Sequence, residues 1–429
     1  MKKINVGIVG FGTIGAGVVQ ALKSRRALLK EKCGVDIAVS MICDKDIKAK
    51  RPVRVSKNTL TRSIGKVLYD PSIDIVVELV GGIHPAKDIV IEALRSGKHV
   101  VTANKALLSE YGYDIFSLAG ELGLGVGFEA SVGGGVPIIR ALKEGFVADK
   151  IEVIYGIING TSNFILSKMA EEGMGFDEAL KIAQSKGYAE RDPKLDVGGG
   201  DSCHKLAILA LLGFGAAIKP SEIYTEGITG IEACDVTYAR ELGYSIKLLA
   251  IAKRADKGVE LRVHPTLIPE AHLLSSVKGV YNAIFVDGDL VGPNLFYGQG
   301  AGAKPTSSAV VSDIVTLAKH VASEGKLPKD FPLGAKDARI KKMDDIMTRY
   351  YVRFSTIDKP GVLARISGIL GKNNISISSV TQKASRAASA VPIIMMTHEA
   401  RERDMAKALK EIGKLSITKK KPVRIRVES

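Results

Sequence analysis

A chain of 429 residues is long enough to bury a large core and to divide into two or three domains. Its composition, 46% hydrophobic and 25% charged, excludes long-range disorder, and its longest apolar run, Leu206 to Ile218, is too short for a membrane span and carries Gly213 and Gly215. The net charge of +15 is concentrated in residues 346–429, which hold 17 Lys/Arg against 6 Asp/Glu in a stretch without a recognition helix or interleaved aromatics, so neither nucleic acid nor a membrane is an expected partner.

Ile4 to Val9 is a short apolar run that reads as a buried parallel strand. It begins so soon after Met1 that no secretory leader is expected. Gly10-Phe11-Gly12-Thr13-Ile14-Gly15 follows at once, then a helical pattern through Val18, Val19 and Leu22. A second strand fits Val35 to Cys43 and ends at Asp44. A third fits Ile73 to Val80, closed by Gly81-Gly82. The helix from about Pro85 to Ser96 should stop at a left-handed Gly97. His99 to Ala103 and Val126 to Ala130 are further strands, separated by a helix through Tyr113 to Leu122. Strands alternating with helices imply a doubly wound parallel sheet.

After Gly135-Val136-Pro137 the pattern changes. A strand at Ile151 to Ile158 is followed by helical stretches at Ser162–Glu172, Phe176–Ser185 and Gly200–Leu212, then by strand-like runs at 246–252, 259–267, 282–286 and 290–296. This reads as an α+β domain with a mixed sheet, and a helix from Thr306 to Ser323 is placed to return to the first domain. Residues 325–342 are rich in Pro, Gly and charge and read as a linker. Beyond them Tyr350–Phe354, Val362–Leu370, Ile375–Val380, Val391–Thr397, Arg401–Ile412 and Val423–Val427 give a βαββαβ order. The expected domains are 1–136, completed by a helix at about 303–323, then 137–302, a linker at 324–345, and 346–429. Cys33, Cys43, Cys203 and Cys234 lack metal-ligand spacing, which suits reduced thiols in a cytoplasmic protein.

The G-x-G-x-x-G run is weak by itself, but here it follows a strand and opens a helix, the context that a dinucleotide-binding Rossmann turn requires. Gly10 permits the turn, Gly12 lets the backbone approach a pyrophosphate, Gly15 lets helix and strand pack, and the helix start offers N–H groups to the anion. Asp44 is placed to bind ribose hydroxyls, though further from the glycines than the usual ~20 residues, and a lengthened first helix and loop (Lys30–Gly34) would account for that. Asp44 argues for NAD, while Lys45 and Lys48 offer charge to the extra phosphate of NADP; both cofactors stay open. Asp201 and Lys205 share one face of a helix, which from spacing alone would be a surface ion pair worth little.

Gly156 to Leu166, with Asn159-Gly160-Thr161-Ser162-Asn163 at its centre, then Gly187 to Asp196, and then Asp201 and Lys205 resemble the homoserine dehydrogenase family. Val101 to Leu107, Glu129 to Pro137 and Gly300-Ala301-Gly302 match in the same order, so the resemblance runs nearly end to end. It implies a nicotinamide-dependent oxidoreductase interconverting L-homoserine and L-aspartate 4-semialdehyde on the route to threonine, methionine and isoleucine. With no aspartokinase region before the glycine turn, it implies a monofunctional enzyme, a homodimer or homotetramer. It gives Lys205 the proton transfer, with Asp201 and Lys105 beside it. Two lysines in one pocket would each favour the neutral form of the other, which suits that task. It gives substrate contacts to Glu190, Asp196, Gly160, Thr161 and Tyr188. Cofactor contacts fall to Gly10, Phe11, Gly12, Thr13, Ile14, Gly15, Asp44, Val80, Thr102, Lys105 and Gly302. Glu129 with the carbonyls of Val132, Gly134 and Val136 resembles the family's sodium site, an all-oxygen shell for a hard cation. Two departures stand out: Cys43 where many NADP-using relatives carry Arg, and Gly198-Gly199-Gly200, which would loosen the turn before Asp201.

The tail, with Asp358-Lys359-Pro360-Gly361-Val362-Leu363 and Asn373-Asn374 after its first helix, resembles an ACT domain. That likeness implies an amino-acid effector, L-threonine in this setting, held by Asp358, Pro360, Gly361, Val362, Leu363 and Asn374, with the helix start facing its carboxylate.

Overall fold

The computed structural model describes residues 2–323, 338–382 and 390–428, so the stretch 324–337 of the expected linker lies outside the described residues. The chain forms two compact units. The first comprises Met1–Ile154, His204–Glu222 and Asn282–Ala338; the second comprises Tyr155–Cys203, Ile223–Tyr281 and Arg339–Ser429.

In the first unit β1 (Lys3–Val9), β2 (Asp36–Cys43), β3 (Leu60–Thr61), β4 (Ile75–Glu78), β5 (His99–Thr102) and β6 (Val126–Gly127) make one parallel sheet, in the order β3-β2-β1-β4-β5-β6. The order reverses between β1 and β4, where doubly wound sheets bind ligands. The strands are buried because nearly every residue is apolar: Ile4, Val6 and Ile8 join Val18, Val19 and Leu22 of helix Thr13–Ser24 and Val310, Ile314 and Leu317 of helix Ala303–Ser323 in one core. The last helix thus returns to the first sheet, as expected from sequence. Helices Ala86–Arg95 and Lys105–Leu122 pack on each other and bury Ile89, Leu94, Leu108 and Ile115.

Two local readings change. The lengthened first helix is two helices, Thr13–Ser24 and Arg26–Cys33. The second buries no residue and ends at Gly34 (φ 70°), and this exposed insertion explains the long spacing to Asp44. The strand expected to reach Ala130 stops at Gly127, because the Glu129 N–H donates to the Asp313 carboxylate at 2.8 Å instead of extending the ladder.

β7 (Ile151–Ile157) and helix Gly200–Phe214 each run from one unit into the other. Then follow β8 (Tyr224–Thr225), β9 (Tyr244–Ala255), β10 (Gly258–Pro269), the neighbouring strands β11 (Tyr281–Gly288) and β12 (Gly292–Gln299), and in the C-terminal stretch β13 (Met347–Thr356), β14 (Ile377–Gln382), β15 (Val391–Thr397), β16 (Ala400–Arg401) and β17 (Thr418–Val427). Helices Val362–Lys372 and Glu402–Gly413 complete the βαββαβ order, around Val352, Phe354, Ile366, Leu370, Ile393, Met405 and Ile412. Helix Ala233–Glu241 has no counterpart in the sequence reading. Its start is marked by a reciprocal capping box built from Glu232 and Asp235, without the Ser or Thr that usually signals one.

Within the second unit the strands run β9-β10-β17-β13-β15-β14, so the C-terminal fold shares a sheet with the strands before it. β17 lies parallel to β10 through Thr266↔Arg426 and Leu267↔Val427 and antiparallel to β13. Buried charge reinforces the seam. Arg353 makes paired bonds to Asp235 at 2.7 and 3.0 Å, and the Tyr351 hydroxyl donates to the same carboxylate at 2.9 Å. Glu428 accepts from Arg262 at 2.7 Å, from Tyr155 at 2.9 Å and from Lys253.

Candidate active site

The glycine turn has the geometry its sequence requires. At Gly10 (φ 105°) a Cβ would lie 2.6 Å from the Leu79 carbonyl oxygen, and at Gly15 it would lie 2.1 Å from that of Gly10. Gly12 differs: nothing lies within 4 Å of its missing Cβ, so its backbone faces open space. The helix that starts there has no side-chain cap and no acidic residue in its first turn, which leaves its N–H groups to an anion. These features fit a dinucleotide pyrophosphate. Asp44, at the end of β2, accepts the Phe11 N–H at 2.6 Å and the Asp46 N–H at 2.8 Å, and it sits 3.6 Å from Arg51. Arg51 also donates to the Phe11 carbonyl and lies over the Phe11 ring. Arg51, which the sequence reading did not single out, is thus a cation in direct reach of Asp44. A groove of about 1010 Å³ is lined by Gly12, Thr13, Arg51 and residues of helices Thr13–Ser24 and Ala303–Ser323, and Asp44, Val80, Thr102 and Lys105 are not among its lining residues.

At the ends of β4 and β5, Glu78 is fully buried and accepts the Val80 N–H at 2.7 Å and the Thr102 hydroxyl at 2.6 Å. Thr102 Oγ1 accepts the Asn104 N–H at 3.1 Å, and Asn104 caps helix Lys105–Leu122 by accepting the Leu107 N–H at 3.1 Å. One carboxylate thus ties the loop at Val80 to the end of β5 at Thr102, and Asn104 carries that link to the helix that begins at Lys105; sequence reasoning missed the carboxylate because it closes an apolar run. Gly302 adopts φ 115° just before the last helix of this unit.

Two of the carboxylates singled out in the sequence, Asp196 and Asp201, meet at Asn159. Its side chain caps helix Gly160–Glu172, accepting the Ser162 N–H at 2.8 Å, and its amide donates to Asp196 at 2.7 Å and to Asp201 at 2.8 Å. One amide thus joins two carboxylates. Asp201 begins the helix whose next turn bears Lys205, and both side chains are buried. Thr161 donates its hydroxyl to the Tyr188 carbonyl at 2.5 Å, while the Tyr188 ring packs edge-on against Phe164 and stays partly exposed. Gly160 is required by packing, since a Cβ there would lie 2.7 Å from the Val280 carbonyl oxygen. Asn163 ties down the same loop by donating to the carbonyls of Val277, Gly279 and Tyr281. Glu190 is exposed, and its carbonyl accepts from Gln184. The Gly198-Gly199-Gly200 run does not loosen the turn. Cβ atoms would lie 2.5 Å from the Lys194 carbonyl oxygen, 3.0 Å from Thr225 and 2.8 Å from Leu195 in turn, so neighbouring groups occupy the space that side chains would need.

Residues 137–315 match the family model described as homoserine dehydrogenase, residues 10–129 match the homoserine dehydrogenase NAD binding domain, and residues 350–416 match the ACT domain. The chain belongs to the homoserine dehydrogenase family. It is 43% identical to the homoserine dehydrogenase of Neisseria gonorrhoeae, with 100% of this chain and 99% of that protein covered, and 38% identical over the same shares to that of Bacillus subtilis. Its fold matches the crystal structure of a homoserine dehydrogenase from Thiobacillus denitrificans with a TM-score of 0.93 at 45% identity, covering 100% of this chain and 99% of that one. A hyperthermophilic archaeal homoserine dehydrogenase solved in complex with NADPH covers 73% of this chain and 97% of its own, with a TM-score of 0.61 at 26% identity. As a homoserine dehydrogenase the chain is an oxidoreductase with a nicotinamide-cofactor domain and an ACT domain.

Two further family positions have a defined setting. The Glu129 carboxylate accepts the N–H groups of Ile139 and Arg140 at 2.8 and 2.9 Å, and the Val136 carbonyl accepts the Ile138 N–H at 2.8 Å, so both serve the chain's own backbone. Burial pushes the Glu129 carboxyl up against the pull of those N–H groups. Asp313 behind it is pushed up to about 7, by burial first and by the Glu129 charge. No cluster of three or more His, Cys, Asp or Glu able to hold a metal occurs among the described residues, and no helix among them is long and apolar enough to cross a membrane. In the ACT domain Asp358, Pro360, Gly361, Val362 and Leu363 line a cavity of about 440 Å³ with Gln382 and Ile393. Gly361 (φ 84°) leaves the following helix start without a side-chain cap. Asn374 (φ 58°) sits past the other end of that helix and does not line the cavity.

Proposed function

We propose that this homoserine dehydrogenase interconverts L-homoserine and L-aspartate 4-semialdehyde reversibly, with Lys205 moving the proton of the substrate's terminal hydroxyl. The observation that supports this best is the Asn159 amide, which holds Asp196 and Asp201 together at the head of the helix that carries buried Lys205. A lysine on the turn after a buried carboxylate is oriented by it, and such a group suits acid–base work at a hydroxyl. Lys105 assists, and Glu190 and Asp196 hold the substrate ammonium, with Gly160, Thr161 and Tyr188 shaping the pocket. A bound nicotinamide supplies the hydride chemistry. Gly10 to Gly15 cradle its pyrophosphate, Asp44 faces the ribose, and Val80, Thr102, Lys105 and Gly302 border it. The cofactor is NAD or NADP.

The reading extends to regulation and setting. The Asp358–Leu363 cavity takes an amino-acid effector, L-threonine, making the enzyme feedback-regulated in threonine, methionine and isoleucine synthesis, and Asn374, beyond the far end of the helix, is left out of that site. A structural sodium ion at Glu129, Val132, Gly134 and Val136 has less support: the Glu129 carboxylate is already engaged by two N–H groups, and no step is assigned to the ion. We assign 1–136 with 303–323 to cofactor binding, 137–302 to substrate and dimerisation, 324–345 to a linker and 346–429 to regulation, in a cytoplasmic homodimer or homotetramer.

The test is the gain of reduced-nicotinamide absorbance with L-homoserine, run with NAD and NADP in parallel. Turnover is expected with at least one cofactor. Lys205→Ala should lose on the order of 100-fold or more in kcat while keeping cofactor binding. Near-normal turnover of that variant removes Lys205 from the mechanism. A wild-type rate unchanged by L-threonine removes that effector.

A further inference from the structure

The turn that presents Asp201 is set against a segment outside the Asn159 cluster. A Cβ on Gly227 would lie 2.2 Å from the Val197 carbonyl oxygen and 2.6 Å from the Gly198 Cα, and the Ile228 N–H donates to the Val197 carbonyl at 2.9 Å. Gly199 (φ 86°) has Thr225 and Val263 against the position its side chain would fill. Residues 224–228 are thus the wall on which Val197 to Gly200 rests, and that short stretch separates Asp196 from Asp201.

The same segment is gripped by one side chain of the ACT domain. Arg426 of β17 is fully buried. It donates to Glu226 at 2.9 Å and to the Tyr224 hydroxyl at 3.1 Å, with its guanidinium carbon 4.9 Å from the centre of the Tyr224 ring. The Tyr224 hydroxyl in turn donates to Glu226 at 2.7 Å. Arg426 also makes paired bonds to Glu402 at 2.9 and 2.6 Å, and Glu402 accepts the Tyr350 hydroxyl at 2.8 Å. A planar guanidinium bonded to both carboxylates ties them at a fixed spacing, Glu402 through a buried paired contact and Glu226 through a single contact that stays partly exposed.

We propose that Arg426 is a positioning residue for the reaction: through Glu226 it holds the 224–228 segment, and with it the glycine turn that sets Asp201 beside Asp196, so that the ACT domain is part of the catalytic scaffold. This rests on the reading above in which Asp201 and Asp196 serve the substrate. Any movement of β17 or of the Glu402 helix then reaches substrate geometry while leaving the glycine turn of the cofactor domain untouched.

The full-length enzyme carrying Arg426→Lys, Glu226→Ala, Glu226→Gln or the pair Arg426→Lys/Glu226→Ala tests this, with Asp201→Asn run alongside. Glu226 keeps 37% of its side chain exposed, so its variants are expected to fold even where Arg426→Lys does not. Arg426→Lys and Glu226→Ala should each lower kcat/KM for L-homoserine by roughly 10- to 100-fold, the scale of small misplacements in an active site, with the cofactor KM shifted less than about twofold. Glu226→Gln, whose amide oxygen keeps the bond from Arg426, should recover most of the loss, and the pair should be no worse than its worse member. Wild-type kcat/KM in folded Glu226→Ala, equal losses toward homoserine and cofactor, or losses that add in the pair would overturn the proposal. Wild-type turnover by Asp201→Asn would instead bring down the substrate assignment, and the proposal with it.

Discussion

Asp313 illustrates how a single buried group sets a pH response. Its folded value of about 7 lies above the ordinary 3.8, so the unfolded chain gives up this proton first. The stability it contributes is full below about pH 4 and is lost as pH rises through 7, a change of a few kcal/mol on a scale of about 1.4 per pKa unit. Asp313→Asn keeps an acceptor for the Glu129 N–H and should melt higher than wild type at pH 8 but close to it at pH 4. Parallel melting curves for the two proteins across that range would show that no such buried acid exists. Arg51 invites a second prediction. Because it lies 3.6 Å from Asp44 at the ribose end of the proposed cofactor cradle, Arg51→Ala should raise the KM for NADP about tenfold and leave that for NAD within about twofold. Equal effects on both cofactors would assign Arg51 to holding Asp44 alone. At this scale the sequence offers candidate acting groups in its motifs but not their company. Nothing in the spacing of Glu78 announces that it will collect the hydroxyl of Thr102 besides the nearby N–H of Val80, since Thr102 arrives through the parallel pairing of β4 with β5.

Elements were easier to read, for reasons visible in the strands themselves. β1, β4 and β5 are short apolar runs because both faces of a parallel sheet are covered, and the glycine turn after β1 fixes the first helix start. The misreadings came where tertiary bonding replaced a local rule: the Asp313 carboxylate ends β6 early, and a largely exposed helix that sets only Leu29 and Cys33 against the core is spliced in before β2. The glycine turn also offers a paired test of what each glycine does. Gly12→Ala meets no atom and should keep the wild-type melting temperature while losing cofactor affinity. Gly15→Ala drives a methyl to 2.1 Å from the Gly10 carbonyl oxygen and should lower the melting temperature by several degrees. If Gly12→Ala binds both cofactors as wild type does, the pyrophosphate does not lie over that residue.

At the scale of the molecule, the C-terminal stretch looked in sequence like a separate module on a linker. Its βαββαβ order and most of its core positions were legible there, but its attachment was not, because the parallel pairing of β10 with β17 joins residues far apart in the chain and leaves no local pattern. The attachment changes what removal of residues 346–429 should do: Asp235 would lose the Arg353 guanidinium that faces it in the core, and Arg262 would lose Glu428 and keep only the longer contact to Glu260. Glu428→Gln isolates one such loss. Burial raises the Glu428 carboxyl, but Arg262 and Lys253 outweigh it and hold the group below its ordinary range. Its stabilisation is therefore present above that range and fades as pH falls through the lowered value. Glu428→Gln should cost on the order of 3 kcal/mol at pH 7 and progressively less in acid, read as melting temperature against pH. A gap that stays constant down to pH 3 would mean the carboxylate is not charged in the fold.

The position of β17 also sets an order of events during synthesis. β10 pairs fully with β9 as soon as the two emerge, but its other edge at Thr266 and Leu267 waits for Arg426 and Val427. At ordinary elongation rates the ribosome takes on the order of ten seconds to travel from Pro269 to Thr418. Throughout that interval the nascent chain presents an apolar strand edge next to Arg262, a cation with its future partner still unmade. A chaperone that shields extended apolar segments would find its window there, and slowing translation downstream of β10 would lengthen the exposure.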